Sequence, residues 1–237
     1  MVAPPRKSAL SGTVLVRFLT SLGLSDAELS NDNFAERMSR LIGLSDSINI
    51  AQAHRNVSFE AGQSGGELQQ TLKQDFDAVR QGIEEVIDRS FGDPEKAGRL
   101  KMPVLKVEDG APEYEPYQRF YMAQQREMDY RILPLWSNMR EAVAGASPEM
   151  AQLAAIDTAL GESLVPHAKE LFGVVPRLLK KRFEQLHNAS GEQAVSGEVP
   201  QWLKTFRTDM QELLFAELEV RLLPVIGLLE AVEYGLE

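Results

Sequence analysis

Hydrophobic positions recur at three- and four-residue intervals through most of this chain, and the clearest case lies near its end. In WLKTFRTDMQELLFAELEV, Trp202, Phe206, Met210, Leu213, Leu214, Glu217 and Leu218 share one side of a helix. The opposite side is charged, so the pattern predicts an amphipathic helix with one face buried. A second stripe, Leu68, Leu72, Phe76, Val79, Ile83, Val86 and Ile87, predicts a helix to about Phe91 with near-heptad spacing. A third starts at Pro116 and carries Tyr117, Phe120, Tyr121, Met128, Ile132, Leu135, Trp136, Met139 and Val143. A fourth opens at Ser147-Pro148, a cap followed by a first-turn proline, and runs through Leu153, Ile156, Leu160, Leu164, Leu171, Val175, Leu178, Phe183 and Leu186.

Shorter helices are expected at Thr13–Leu22, at Phe34–Leu41 behind an Asn33 cap, and from Ser45 or Asp46 through Ile50. Pro134 and Pro224 should kink their helices, and Pro166 and Pro176 should bend or break theirs, because proline removes a donor and crowds the preceding turn. Prolines and glycines concentrate in 92–116, which reads as a linker or long loop with Met102–Val107 as a possible extended segment. The polar 188–199 segment reads as a surface loop. The expected architecture is all-α, a helical bundle of long, proline-kinked amphipathic helices. It divides into an N-terminal helical part (1–91), the linker (92–116) and a C-terminal bundle (117–237), with one continuous domain as the alternative.

Composition narrows the function classes. With 237 residues, 43% of them hydrophobic and 25% charged, the chain can bury a sizeable core. The formal net charge of −10 opposes non-specific binding to nucleic acid. It contains no cysteine, which removes disulfides, thiolate catalysis and cysteine metal sites and suits a reducing cytoplasm. No run reaches the ~20 apolar residues that a membrane helix needs, so a cytoplasmic location without membrane insertion is expected.

Chemical motifs are sparse. Gly62-Gln63-Ser64-Gly65-Gly66 matches the nucleophile elbow G-x-S-x-G, but that mechanism needs a parallel sheet. Ser64 with Glu67 reads better as a capping box. Glu184 and His187 make one E-x-x-H motif, where a di-iron bundle needs two, and neither His54 nor His167 supplies the second. No catalytic, metal or cofactor site is therefore expected, and the chain reads as a non-enzyme. Arg177, Lys180, Lys181 and Arg182 form the one basic cluster, read as a possible interaction surface or, alternatively, as partners of the acidic last helix. That helix is expected to leave Asp209, Glu212 and Glu219 toward solvent or toward this cluster. Tyr114, Tyr117, Phe120 and Tyr121 cluster at a helix start. Core packing is their default reading, with an interface anchored by Tyr117 and Tyr121 as the sharper alternative.

Three blocks, FAERMSRLIGLSDSINI (34–50), YQRFYMAQQREMDYRILPLWSNMREAV (117–143) and WLKTFRTDMQELLFAELEVRLLPVIGLLEAV (202–232), carry a family resemblance. Together they resemble an all-helical family of proteobacterial proteins of unknown function, similar to the small cytosolic accessory component of type III Zorya anti-phage defence systems. The resemblance implies a neighbouring stator-like membrane motor with a long cytoplasmic tail, and a peptidoglycan-binding partner. It also implies other cytosolic defence proteins. It transfers no catalytic residue, because the blocks are packing motifs. The expected function is a cytosolic, non-catalytic component acting by protein–protein contact, with a homo-oligomer possible. The alternatives are an effector that binds or cuts nucleic acid through 177–182, and a structural adaptor unrelated to defence.

Overall fold

The computed structural model describes residues 15, 18, 19, 22, 65–93, 98–104, 113–190 and 199–235. The expected helix at 34–41, the segment at 45–50, and the motifs that use His54 and Ser64 lie outside them. Four long helices account for most of the described chain: α1 (Gly65–Phe91), α2 (Glu115–Ala144), α3 (Pro148–Ser190) and α4 (Gln201–Gly235). Leu15, Phe18 and Leu19 are also helical. The fold is all-α.

Local chemistry explains the helix ends. Pro116 sits in the first turn of α2, where its missing N–H costs nothing. The turn Gly145-Ala146-Ser147 separates α2 from α3. There the Ser147 hydroxyl accepts from the Met150 N–H at 3.2 Å and donates to Glu149 at 2.8 Å. That satisfies one of the orphan donors of the first turn of α3. At the start of α4 the Pro200 carbonyl accepts from the N–H groups of Leu203 and Lys204.

Contacts fix the topology. Phe91 at the end of α1 meets Phe120 near the start of α2, and Gly82 of α1 lies beside Arg131 of α2. Between α2 and α3, Trp136 meets Asp157 while Gln125 meets Phe172. Between α3 and α4, Phe183 packs on Trp202 and Phe172 lies under Arg221. Asp88 reaches Gln211, and Arg80 reaches Glu219, between α1 and α4. In each pair residue numbers run in opposite directions, so the neighbours are antiparallel. Tyr117 against Phe206, and Asp129 against Arg221, run in the same direction, so α2 and α4 are parallel and touch across the bundle. The result is an up-down-up-down four-helix bundle.

All four helices, with Leu15 and Leu19, contribute to one hydrophobic cluster. Leu203, Phe206, Met210, Leu213 and Leu214 of α4 are fully buried at its centre. Burying such side chains contributes roughly 1.5–3 kcal/mol apiece. Described residues 98–104 form neither helix nor strand and contact α1, α2 and α4. The Met102 N–H donates to Ser90, Arg207 donates to the Pro103 carbonyl at 3.0 Å, and Arg99 pairs with Glu127.

Of the two alternatives for the stretch after Ser147, bent or broken, the structure removes the second. The stretch after Ser147 is not broken, since α3 is a single helix through Pro166 and Pro176. Proline removes only one backbone bond, and buried Phe172, Val175, Leu178 and Leu179 flank Pro176 on both sides, so packing keeps the helix continuous there. Pro134 and Pro224 likewise lie inside continuous helices.

Glycines inside these helices separate two effects. A Cβ on Gly161 would lie 2.4 Å from Arg140 and 2.8 Å from the Trp136 ring, whereas Gly173 and Gly227 have nothing within 4 Å. Alanine gains up to ~1 kcal/mol over glycine in a helix, while overpacking a tight site costs about 1–3 kcal/mol. Gly173→Ala and Gly227→Ala should therefore raise the denaturant midpoint, and Gly161→Ala should lower it. Urea unfolding of the three variants checks the opposite signs.

Candidate functional site

The most unusual chemistry lies inside the bundle. Glu217 occupies a position in the apolar stripe of α4 and is 0% exposed. A bare carboxylate there would cost several kcal/mol, so it survives only with donors around it. The Tyr121 hydroxyl donates to Oε2 at 2.8 Å. Gln125 Nε2 reaches both oxygens at 2.9 and 3.1 Å, and also donates to the Phe172 carbonyl at 3.0 Å. Arg221, one turn along α4, donates to Oε1 from Nε at 2.9 Å and from Nη2 at 2.6 Å. Its remaining Nη1 pairs with Asp129, and the guanidinium stacks 4.0 Å from the Phe172 ring centroid. Helices α2, α3 and α4 therefore meet at one polar layer.

Burial is the main cause of the electrostatic shifts in this layer. It holds the Glu217 carboxyl above its ordinary range, and Arg221, Gln125 and Tyr121 pull the other way without cancelling it. Burial and the neighbouring carboxylate push the Tyr121 phenol well up. A second, aromatic layer lies nearer the start of α2. There Tyr114, Tyr117, Phe183, Trp202 and Phe206 pack at centroid distances between 5.1 and 6.4 Å. The Tyr114 hydroxyl donates to the Pro176 carbonyl, and burial raises its pKa. Burial also raises Tyr117, with Arg207 beside it acting in the opposite sense. A third group joins α2 to α3, where Trp136 Nε1 donates to Asp157 at 2.8 Å, Arg140 pairs with the same carboxylate, and Arg140 covers the Trp136 ring at 3.8 Å.

These positions bear on the residues singled out from sequence. Tyr117 and Tyr121 are core residues, 2% and 0% exposed, so the reading of them as surface anchors is corrected. The inward face of α2 presents them to α4, and the default of core packing applies. Arg182 also leaves the proposed surface. It is half-buried and pairs at 2.8 Å with Asp209 of α4, which is the intramolecular alternative weighed for the cluster. Arg177, Lys180 and Lys181 are exposed on α3, with Lys180 at 3.9 Å from Glu184. His187 packs its ring edge-on against Trp202. Of the acids of α4, Asp209 faces the basic cluster, Glu219 instead reaches Arg80 of α1, and Glu212 is exposed.

Sequence reasoning did not foresee the Glu217 layer. Its signal was present, since Glu217 was the one charged member of an otherwise apolar stripe. The partners could not be read because Tyr121 and Gln125 lie about a hundred positions away in the chain. Among the described residues no group of three or more metal-ligating side chains occurs, and no helix is long and apolar enough to cross a membrane.

The fold and these contacts define an all-α bundle organised around a buried carboxylate–guanidinium pair. The chain belongs to the family described as Protein of unknown function (DUF3348), whose model matches residues 1–234. A search of curated proteins and a search of solved structures each found no match.

Two predictions follow from the polar layer. Arg221→Met strands a buried anion and should destabilise the fold by about 3–5 kcal/mol, whereas Arg221→Met combined with Glu217→Leu should recover most of that loss. Denaturant unfolding of the single and double variants measures both. The second prediction concerns pH. Because the Glu217 pKa is raised, the folded state holds its proton more tightly than the unfolded state does. Stability from this group is therefore highest at low pH and falls as pH rises through its folded pKa. The stability of the wild type minus that of Glu217→Gln should decline across that window. A difference that climbs with pH would show that the donors outweigh burial.

Proposed function

We propose that this protein is a non-catalytic, cytosolic component of a membrane-motor-linked anti-phage defence system and works by protein–protein contact. The defence context draws on the resemblance of the three sequence blocks to the accessory component of type III Zorya systems. The contact mode draws on one structural observation. Arg182 is half-buried against Asp209, and Arg177, Lys180 (beside Glu184) and Lys181 are exposed on α3 of a chain whose net charge is −10. A local basic strip on an acidic protein suits an acidic partner surface, where complementary charge sets orientation and on-rate. The motor's cytoplasmic tail and the other cytosolic defence proteins are the partners proposed.

Nucleic-acid binding is a second reading of the same strip, and the acidic net charge opposes it because affinity for phosphates depends on net neutralisation by cations. A structural adaptor outside defence is the third.

Co-purification from cells expressing the complete operon, with protein carrying Arg177→Glu, Lys180→Glu and Lys181→Glu beside the wild type, distinguishes these readings. Wild-type protein is expected to recover the motor component or another cytosolic component, and the triple variant to lose it along with plaque protection. Recovery of neither by the wild type would remove the proposal, and a salt-sensitive gel shift abolished by the triple variant would favour nucleic acid.

A further inference from the structure

The outer face of α2 carries a feature that neither the core nor the basic strip uses. Positions 119, 122, 126, 130, 133, 137 and 141 follow one another at intervals of three or four, and every one is exposed. They cover about 100° of the helix circumference and run for about 33 Å along its axis. Tyr130, 78% exposed, and Leu133, 42% exposed, are apolar at the centre of this stripe, and Met122, 37% exposed, lies nearer its start beyond Arg126.

Charge is distributed unevenly along it. Arg119 and Arg126 occupy the first half, and Glu141 closes the second. Most arginines of the described bundle are engaged within the molecule. Arg80, Arg89, Arg99, Arg131, Arg140, Arg182 and Arg221 each pair with a carboxylate, and Arg207 binds the Pro103 carbonyl. Arg119, Arg126 and Glu141 form no ion pair among the described residues. Arg119 also lies as far before Tyr130 as Glu141 lies after it.

We infer that α2 docks against α2 of a second copy of this chain, antiparallel, with the two-fold axis passing at Tyr130. Residues equidistant from the axis then face each other, as a self-complementary interface requires. Tyr130 meets Tyr130 of the second copy, and Arg119 of each copy meets Glu141 of the other, giving two symmetric ion pairs. Leu133 of each copy flanks the axis beside Tyr130. A parallel pairing would set arginine against arginine and glutamate against glutamate, so the charge polarity of the stripe selects the antiparallel arrangement. One helix face is small beside the ~800 Å² per partner of a standard stable complex, so the dimer is expected to dissociate on dilution. This inference does not depend on the defence reading.

Sedimentation velocity of the full-length protein over a concentration series tests it. The wild type should show a concentration-dependent monomer–dimer equilibrium. Tyr130→Glu should weaken it at least ~10-fold, as should Arg119→Glu, while Arg119→Glu combined with Glu141→Arg should restore it to within about threefold. These positions are exposed, and circular dichroism establishes that each variant is folded. Because the chain contains no cysteine, Tyr130→Cys also provides a single reporter at the axis. Mild oxidation should cross-link it rapidly, and Arg177→Cys on α3 should lag. A wild type that stays monomeric throughout overturns the inference. So does a dimer indifferent to Tyr130→Glu, or a charge swap that fails to rescue, or equal cross-linking at 130 and 177.

Discussion

The bundle depends on keeping one carboxylate, that of Glu217, solvated by protein where water cannot reach. Its donors come from Tyr121 and Gln125 on α2 and from Arg221 on α4. Apolar layers tolerate small slides and repacking, because hydrophobic contact is non-directional. A carboxylate with fixed donors does not. Shifting α4 by one turn against α2 moves Glu217 about 5.4 Å from Tyr121 and leaves a buried anion with only its own-helix arginine. The apolar stripe thus determines how strongly α4 is held, and the polar layer determines in which register.

The surroundings of that layer follow the same constraint. Arg221 brings its own charge into the interior, where Asp129 and the Phe172 ring complete its environment. Phe172 belongs to α3, so the neutralised pair joins a third helix to the parallel pair. Toward the start of α2 the aromatic layer takes over, with Tyr114 satisfied by the Pro176 carbonyl. That bond couples the start of α2 to one of the two stretches of α3 where an internal proline removes a backbone donor. Packing at Phe172, Val175, Leu178 and Leu179 then offsets the missing hydrogen bond.

Much of this architecture was legible in the sequence, and the limits have physical causes. The end of α1 at Phe91 and the opening of α3 at Ser147-Pro148 were readable because caps and prolines act locally. The core stripe of α4 was readable because burial imposes the helical period. The continuity of α3 through Pro176 was not, since the compensating contacts come from other helices. The Glu217 layer was half legible. A glutamate in an apolar stripe signals a buried acid, but its donors are assembled only by tertiary folding. For the aromatic residues at the start of α2, an apolar periodicity cannot say whether its partner is the core or another molecule. Tyr117 and Tyr121 resolve that toward the core.

Helix α2 illustrates why the two faces of one helix should be weighed separately. Its inward residues are committed by several simultaneous constraints: Tyr121 to Glu217, Asp129 to Arg221, Trp136 to Asp157. Each is partly or wholly buried, so each acts where the local dielectric is low and screening is weak. The outward residues sit in water, where an ion pair contributes at most ~1 kcal/mol and apolar area supplies most of the rest. Folding is therefore controlled by the inner face, while anything that binds the outer face must rely on complementarity spread along the helix. A charge polarity that reverses about Tyr130, on a stripe left exposed beside a saturated core, has that distributed character.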